Sequence, residues 1–264
     1  MLTNASFLKG LVIHAIDGEI GTVDQFLFDD VTFAIRYFTV ETGGWLSGRQ
    51  VLISPFSIIR ADWQANRLDV ALTKTQVENS PDIDTHLPVS RQHEEAFLGY
   101  YGYPYYWGGP YLWGPAFYPV GVGLPTPGTL SPPASQPTAA PPDSHLRSSG
   151  EVTGYTIEAT DGEFGHVDGF VVDDQDWAIR YIEVATRNWL PGKKVLLSPE
   201  WIGQVSWFDR KVSVALQKGA IESAPEYLMS RPITREYESK LYLHYGRPQY
   251  WNHEEQKSCS PQNP

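Results

Sequence analysis

The chain has 264 residues, of which 41% are hydrophobic, and this length can bury the cores of two ordinary domains. Its 20 basic and 31 acidic side chains give a formal net charge of -11, which argues against general binding to nucleic acid or to an anionic membrane surface. Cys259 is the one cysteine, so an internal disulfide is excluded and a reducing cytoplasm is favoured.

The N-terminal residues predict neither a signal peptide nor a membrane-spanning helix. The stretch MLTNASFLKGLVIHAIDGE has no basic start, and Lys9, His14 and Asp17 interrupt its apolar residues. Residues 96–142 carry no charge, but their frequent Pro and Gly prevent the continuous helix that a bilayer crossing requires. We therefore expect a cytoplasmic protein without an integral membrane segment.

The chain contains two copies of one sequence unit. Residues 11–107 align with residues 155–251 without a gap, at a constant offset of 144, and 40 of the 97 aligned positions are identical. This tandem duplication predicts that the two copies fold alike. It also raises the prediction that they associate within the chain as a pseudo-dimer.

Each copy begins with a pattern of short strands. A DG pair at Asp17 and at Asp161 lies between apolar runs, which is typical of a tight hairpin turn because the glycine tolerates positive φ. Apolar and β-branched runs continue to Leu72 and Leu216. Roughly six short strands in about 65 residues predict a mainly β fold with two small antiparallel β-barrels. Asp17 and Asp161 are interpreted as structural hairpin residues.

Two helical segments follow the strands of each copy. The second begins after Ser90 or Thr234, which are predicted N-caps, and ends at Gly102 or Gly246. Beyond it lies an aromatic strap, residues 101–107 and 245–251, whose rings we expect to pack against a barrel and stabilise it. Its recurring aromatic members are Tyr101, Tyr106, Trp107, Tyr245, Tyr250 and Trp251.

The segment after the first strap has no counterpart in the second copy. Its large aromatic side chains are candidate contacts for a partner or ligand, and they are Tyr111, Trp113, Phe117 and Tyr118. The predicted organisation is therefore a first repeat over 1–107, a Pro/Gly/aromatic-rich linker over 108–149, a second repeat over 150–251 and a polar disordered tail over 252–264.

Repeated polar residues give little support for catalysis or for a bound metal or cofactor. No histidine recurs at the same position in both copies, and the spacing of the repeated aspartates does not match a calcium loop. Glu19 and Glu163 recur without a nearby partner base, which favours a surface hairpin role. We predict no catalytic residue, no metal site and no cofactor.

Arg36 and Arg180 recur in the middle of apolar strands. We expect each to pair with one of the repeated aspartates, with an anion contact as the alternative. Recurring tryptophans are expected mainly to pack in the core or at a barrel end, with ligand stacking as the alternative, and they are Trp45, Trp63, Trp189 and Trp207.

The segments AIRYFTVETGGWLSGRQVLISP and AIRYIEVATRNWLPGKKVLLSP, with the preceding DG hairpins, resemble the PRC-barrel family. The resemblance covers the strands of both copies, nearly half of the chain, and implies two PRC-type β-barrels. That family includes the cytoplasmic domain of the photosynthetic reaction-centre H subunit, a domain of a ribosome-maturation factor and many free-standing bacterial proteins. This sequence is similar to the last group, and the resemblance implies no catalytic residue.

These observations favour a non-enzymatic module for protein interaction, assembly or regulation, with a protein partner. Two alternatives remain open. One is support of electron or proton transfer at a membrane complex, as implied by the likeness to the reaction-centre H subunit. The other is binding of a small molecule or polysaccharide by exposed aromatic rings.

Overall fold

Fourteen strands and five α-helices make up the part of the chain that the computed structural model describes, which is residues 1–81, 89–119, 145–186 and 193–252. Most of the predicted linker, residues 120–144, and all but the first residue of the predicted tail lie outside these ranges. The described chain forms two units. Unit 1 comprises Met1 and residues 3–153 and 169–180, and unit 2 comprises Leu2 and residues 154–168 and 181–264.

The strands follow the sequence copies. Those that precede or belong to the first copy are β1 Leu2–Asn4, β2 Val12–Ala15, β3 Gly18–Asp29, β4 Ile35–Glu41, β5 Gln50–Ile53, β6 Ile58–Asp62 and β7 Arg67–Val70. Those that precede or belong to the second are β8 Leu146–Ser148, β9 Thr156–Ala159, β10 Gly162–Asp173, β11 Ile179–Ala185, β12 Lys194–Leu197, β13 Ile202–Ser206 and β14 Lys211–Val214.

The helices are short and begin at recognisable caps. They are α1 Lys74–Glu78, α2 Arg91–Tyr101, α3 Ser149–Val152, α4 Lys218–Glu222 and α5 Arg235–Tyr245. The Ser90 side chain accepts a hydrogen bond from the backbone of α2, and Thr234 does the same for α5, which confirms both predicted N-caps. Both helices end at a glycine in the left-handed conformation, as predicted.

The strands form two seven-stranded sheets, which confirms a mainly β fold. The first has the order β5-β4-β3-β2-β7-β6 with β8 added to β3, and the second has the order β12-β11-β10-β9-β14-β13 with β1 added to β10. Two features of the predicted barrels are wrong. Neither sheet closes within the described residues, because no pairing joins its two ends. The sheets are also not fully antiparallel, since β2 pairs with β7, and β9 with β14, in parallel.

A second glycine after each DG turn allows the strand that carries it to lie very close to the end of the following strand. A side-chain carbon at Gly21 would lie 2.0 Å from the carbonyl oxygen of Glu41, and one at Gly165 would lie 2.3 Å from that of Ala185. Because these distances are far below contact, only glycine fits at both positions. The last glycine of the repeated DGEIG and DGEFG patterns is thus required by the close approach of neighbouring strands.

The core of each unit lies between its sheet and the helix that follows. In unit 1, the ring of Tyr37 on β4 meets Phe97 on α2 edge-on at 5.1 Å. In unit 2, Trp201 lies 5.1 Å from Tyr242 and 4.7 Å from Tyr245 on α5. This packing brings the polar side chains of the strands and of the helix starts together.

Candidate functional site

A buried glutamate lies at the centre of a polar network in unit 1. Glu94, in the first turn of α2, is 1% exposed. Its Oε2 atom accepts hydrogen bonds from the hydroxyls of Tyr37 at 3.2 Å and Tyr106 at 2.5 Å. Arg91, one turn earlier on the same helix, lies 3.2 Å from Oε1. One carboxylate therefore joins a strand, a helix and the strap.

Unit 2 contains the equivalent network. Glu238 accepts hydrogen bonds from Tyr181 at 2.7 Å and Tyr250 at 3.0 Å, and Arg235 lies 2.9 Å away. All four members stand at the offset of 144 from their counterparts. A second carboxylate thus makes the same strand, helix and strap connection.

Burial sets the protonation of these groups. It raises the pKa of the Glu94 carboxyl to about 7, although Arg91 and the two hydroxyls act in the opposite direction. Burial also raises the pKa of the Tyr37 and Tyr106 hydroxyls well above their usual range, so both remain donors. The Glu94 carboxyl is surrounded by the two tyrosine hydroxyls and the arginine that bond to it. This geometry fits a structural role, in which the carboxyl connects parts of the fold.

The strap residues divide between buried and half-buried positions. The tyrosines that recur in both copies of the strap are buried, and they are Tyr101, Tyr106, Tyr245 and Tyr250. Trp107 and Trp251 are half-buried, and they lie under the guanidinium groups of Arg91 at 4.0 Å and Arg235 at 4.2 Å. Each arginine therefore contacts both a carboxylate and an indole ring.

Arg36 is enclosed in unit 1 and is 1% exposed on its side chain. Its guanidinium lies 3.8 Å from the centre of the Tyr106 ring and 4.8 Å from that of Trp113. It donates to the Leu112 carbonyl at 2.7 Å and lies 3.6 Å from Asp29. Burial lowers the pKa of Arg36, although it is opposed by its charged and phenolic neighbours.

Arg180 also contacts aspartates. It lies 2.5 Å from Asp176 and 3.8 Å from Asp173, both in the turn between β10 and β11. Asp29 and Asp173 are equivalent positions in the two copies. Both arginines therefore contact the aspartate that ends the long strand of their own copy.

The unmatched aromatic segment forms a small turn structure in unit 1. Antiparallel bridges join Tyr111 to Gly114 and Trp113 to Ala116. Trp113 is 0% exposed, packs edge-on against Phe56 at 4.9 Å and donates from Nε1 to the Asp176 carbonyl at 2.8 Å. The expectation that Trp113 contacts a partner is therefore wrong, because its indole fills the core of the unit.

The other three candidates of this segment are exposed. Tyr111, Phe117 and Tyr118 are 38%, 43% and 51% exposed, and we call them the aromatic surface. The rings of Tyr111 and Phe117 lie 4.0 Å apart between centroids. The buried Trp113 anchor and the two bridges hold the segment that carries them.

The hairpin aspartates fix the start of a helix. Asp17 accepts a hydrogen bond from the Lys74 amide at 2.8 Å, and Asp161 accepts from the Lys218 amide at the same distance. Both amides belong to the first residue of a short helix, where backbone donors have no partner within the helix. These two aspartates therefore connect the hairpin to α1 and α4.

The recurring tryptophans make different contacts. Trp45 donates to the Ile20 carbonyl at 2.5 Å, and Trp63 donates to Asp174 at 2.9 Å. The Trp207 ring lies 6.1 Å from that of Tyr155. Trp189 lies outside the described residues.

A charged cluster occurs in the second copy but not at the equivalent positions of the first. Lys194 at the start of β12 lies 2.6 Å from Asp168 and also contacts Glu183, which is buried on β11. The first copy has Gln50 and Thr39 in place of Lys194 and Glu183. The two copies have thus diverged on this face of the sheet.

The two glutamates at the centre of the networks were missed by the reasoning from sequence. A signal was present, because Arg-x-x-Glu recurs at 91–94 and at 235–238. This pattern does not by itself indicate burial, because the two glutamates lie in polar helix starts, where a charged residue is ordinarily solvated. Among the described residues, no group of His, Cys, Asp and Glu side chains could hold a metal ion, and no helix has the length and apolar character to cross a membrane.

The chain has a partial relative among known proteins. No family model matches the chain. A protein from Deinococcus radiodurans, described as uncharacterized, is 39% identical over 71 residues. That match covers 26% of this chain, and the chain spans about a quarter of the relative's length, 25%. The chain is therefore similar to this relative over one segment of each protein.

Proposed function

We propose that the protein is a non-enzymatic interaction module of the PRC-barrel type, which binds a protein partner through its aromatic surface. The family assignment is supported by the DG hairpins and the W-L-x-G-[KR] segments, which recur in order in both copies. The identical strand order of the two sheets supports two copies of one fold. In this proposal each repeat is an open, rolled PRC-type sheet.

A structural use of the repeated polar residues supports the non-enzymatic assignment. Glu94 and Glu238 are buried, and each is bonded to two tyrosine hydroxyls and an arginine of its own unit. A general acid or base must reach the proton that it transfers. These carboxyls instead direct their oxygens into the fold.

The observation that carries the proposal is the exposure of three aromatic rings on an anchored segment. Aromatic side chains are enriched at the centres of protein interfaces because they bury a large area with few rotatable bonds. The Trp113 anchor limits the conformational freedom that would otherwise be lost on binding. The aromatic surface therefore has the chemistry of a pre-organised contact for an apolar patch on a protein.

Photo-crosslinking from single positions in the source cells tests this function. Benzoylphenylalanine at position 117 is expected to give one dominant protein adduct. The matched control is the same amino acid at Ile59, which is 66% exposed and lies outside the aromatic surface. Adducts of equal pattern from both positions would contradict the proposal.

Purified components then provide the quantitative measurement. The variant Tyr111→Ser/Phe117→Ser should fold normally, because both rings are partly exposed, and should bind the crosslinked partner at least about tenfold more weakly. Ile59→Ser is the matched control and should bind like the wild type. Unchanged affinity in the double variant would show that the partner contacts another surface.

A second candidate function is binding of a flat ligand such as a sugar ring. The separation of 4.0 Å between the Tyr111 and Phe117 centroids favours it, because paired rings offer an apolar face for stacking. Titration with an oligosaccharide panel, followed by tyrosine and tryptophan fluorescence, is the test. A response that disappears in Tyr111→Ser/Phe117→Ser supports ligand binding, and a flat response removes it.

Cell fractionation distinguishes the cytoplasmic proposal from a role at a membrane complex. We propose a cytoplasmic location because the single cysteine fits a reducing compartment. The protein should then remain in the supernatant after membranes are sedimented. Recovery with the membranes, together with reaction-centre components, would favour the alternative related to the reaction-centre H subunit.

A further inference from the structure

Unit 1 contains residues of both sequence copies. Residues 145–153 and 169–180, from the second copy and the segment before it, cluster with the first copy. The strand β8 adds to β3, with Phe28 opposite Arg147, and Arg147 also lies 3.0 Å from Asp30. The strand β3 of the first copy is therefore completed by a strand that lies more than 100 residues later in the chain.

The backbone contacts in this region join equivalent residues. Ala34 and Ala178 form an antiparallel bridge, and they are separated by the offset of 144. The flanking hydrogen bonds are reciprocal. The Ile35 amide donates to the Trp177 carbonyl at 2.8 Å, and the Ile179 amide donates to the Phe33 carbonyl at 2.7 Å.

Such reciprocity is the signature of a two-fold axis. In an isologous interface, residue i contacts residue j while j contacts i, and a residue on the axis meets its own equivalent. Ala34 and Ala178 satisfy the second condition, and the two flanking hydrogen bonds satisfy the first. Within unit 1, residues 33–35 and 177–179 are therefore arranged like the two halves of a homodimer contact.

The side chains repeat the pattern. Phe26 and Phe170 are equivalent residues, and their rings meet edge-on at 5.7 Å. Phe28 lies 5.7 Å from Phe170, and Phe38 lies 5.1 Å from Trp177. All five rings are buried, so the contact is apolar like the core of a permanent interface.

We propose that the surface formed by Phe26, Phe28, Ala34 and Phe38 is a self-complementary docking surface whose partner is a second copy of the same repeat. In this chain the partner is the second repeat, through Phe170, Trp177 and Ala178. Within unit 1, residues of the two copies thus meet as the two halves of a homodimer would. The association of the repeats depends on this surface, and covalent linkage is not required to maintain it.

A disulfide across the axis tests the geometry in the full chain. Cys259→Ser removes the natural thiol, Ala34→Cys/Ala178→Cys adds the pair, and a protease site is inserted in the linker between Leu130 and Ser131. Directly opposed residues of an antiparallel pair lie within disulfide range. After oxidation and cleavage, the two pieces should migrate together on a denaturing gel without reductant and separately with it.

The matched control carries Ala34→Cys alone in the same Cys259→Ser background. It has one thiol and should give separate pieces under both conditions. Two results would overturn the proposal. One is failure of the Ala34→Cys/Ala178→Cys pair to crosslink in the oxidised chain, and the other is formation of linked chains in place of an internal disulfide.

Cleavage without a disulfide tests whether the surface holds the repeats together. In the otherwise wild-type chain, the two pieces should elute from a sizing column at the mass of the uncleaved chain. Ala34→Asp should abolish this co-elution, because it places a charge on the apolar axis, whereas Val31→Asp, at an exposed nearby position, should not. Separation of the wild-type pieces, or co-elution of the Ala34→Asp pieces, would contradict the proposal.

Discussion

Tyr106 donates a hydrogen bond to Glu94 across 2.5 Å, and this contact joins the strap to the first turn of the helix that precedes it. Arg91, on the same turn of the helix, adds a second contact by lying 4.0 Å from the Trp107 ring of the strap. Because Tyr250 and Glu238 make the same contact in unit 2, the connection is a repeated part of the fold.

Removal of either glutamate should destabilise its unit. Glu94→Ala or Glu238→Ala leaves two buried tyrosine hydroxyls and an arginine without their acceptor, so we expect a loss of about 3 kcal/mol in the free energy of unfolding. Denaturant titration measures it. Glu95→Ala is the matched control, because Glu95 follows on the same helix and is exposed. Equal stability of Glu94→Ala and Glu95→Ala would contradict a structural role.

Glu94 should make stability depend on pH in a defined direction. Its pKa is about 7 in the folded chain and near 4.5 when unfolded, so the folded state holds a proton that the unfolded state releases between these values. The contribution of the carboxyl is therefore complete below about pH 4.5, decreases as pH rises to about 7 and is constant above it. The total change is about 3 kcal/mol.

Comparison with Glu94→Gln isolates this effect from the other titrating groups. From pH 5 to about pH 7, the unfolding free energy of the wild type should fall relative to that of Glu94→Gln, and between pH 7 and pH 8 the difference should level off. The same measurement on Glu95→Gln provides the control, for which no such trend is expected. Parallel curves for wild type and Glu94→Gln would show that the carboxyl does not titrate in this range.

The charged cluster of unit 2 should be cooperative. Lys194→Gln removes the ammonium partner of the buried Glu183 and should cost about 2 kcal/mol. The double variant Glu183→Thr/Lys194→Gln introduces the residue pair found in the first copy and should recover most of that loss. A double-mutant cycle gives the coupling energy. If the losses in unfolding free energy of the two single variants simply added up in the double variant, the two residues would act independently.

Alanine should be poorly tolerated at the two glycines of the strand approach. Gly21→Ala and Gly165→Ala each place a methyl group within 2.3 Å of a carbonyl oxygen or closer, so a loss of about 3 kcal/mol or more in unfolding free energy is expected. Thermal and denaturant unfolding measure it. Gly44→Ala is the control, since no atom lies within 4 Å of the added carbon. A wild-type midpoint for Gly21→Ala would contradict the close approach.

Local features of the fold were accessible from the sequence. The DG hairpins, the caps at Ser90 and Thr234 and the glycine helix ends follow from the conformational preferences of single residues, so patterns along the chain reveal them. The mainly β class follows from short apolar and β-branched runs separated by turn residues.

Nonlocal relationships were not accessible in the same way. Alternation shows which face of a strand is buried but does not show which strands pair, so the parallel pairing of β2 with β7 and the open sheet ends were missed. Tyr37 and Glu94 are separated by 57 residues, and nothing local brings them together. The burial of Trp113 likewise depends on Phe56 and on Asp176, which are far away in the chain.

The meeting of Ala34 with Ala178 has a consequence for how such a molecule can change. In a dimer of identical chains, every substitution occurs twice, and a substituted residue near the two-fold axis contacts the same substituted residue of the other chain. In a fused chain, a change is made once, so one half can acquire Lys194 and Glu183 while the other acquires an aromatic surface. Duplication within one chain therefore lets two copies of one fold carry unlike side chains at equivalent positions.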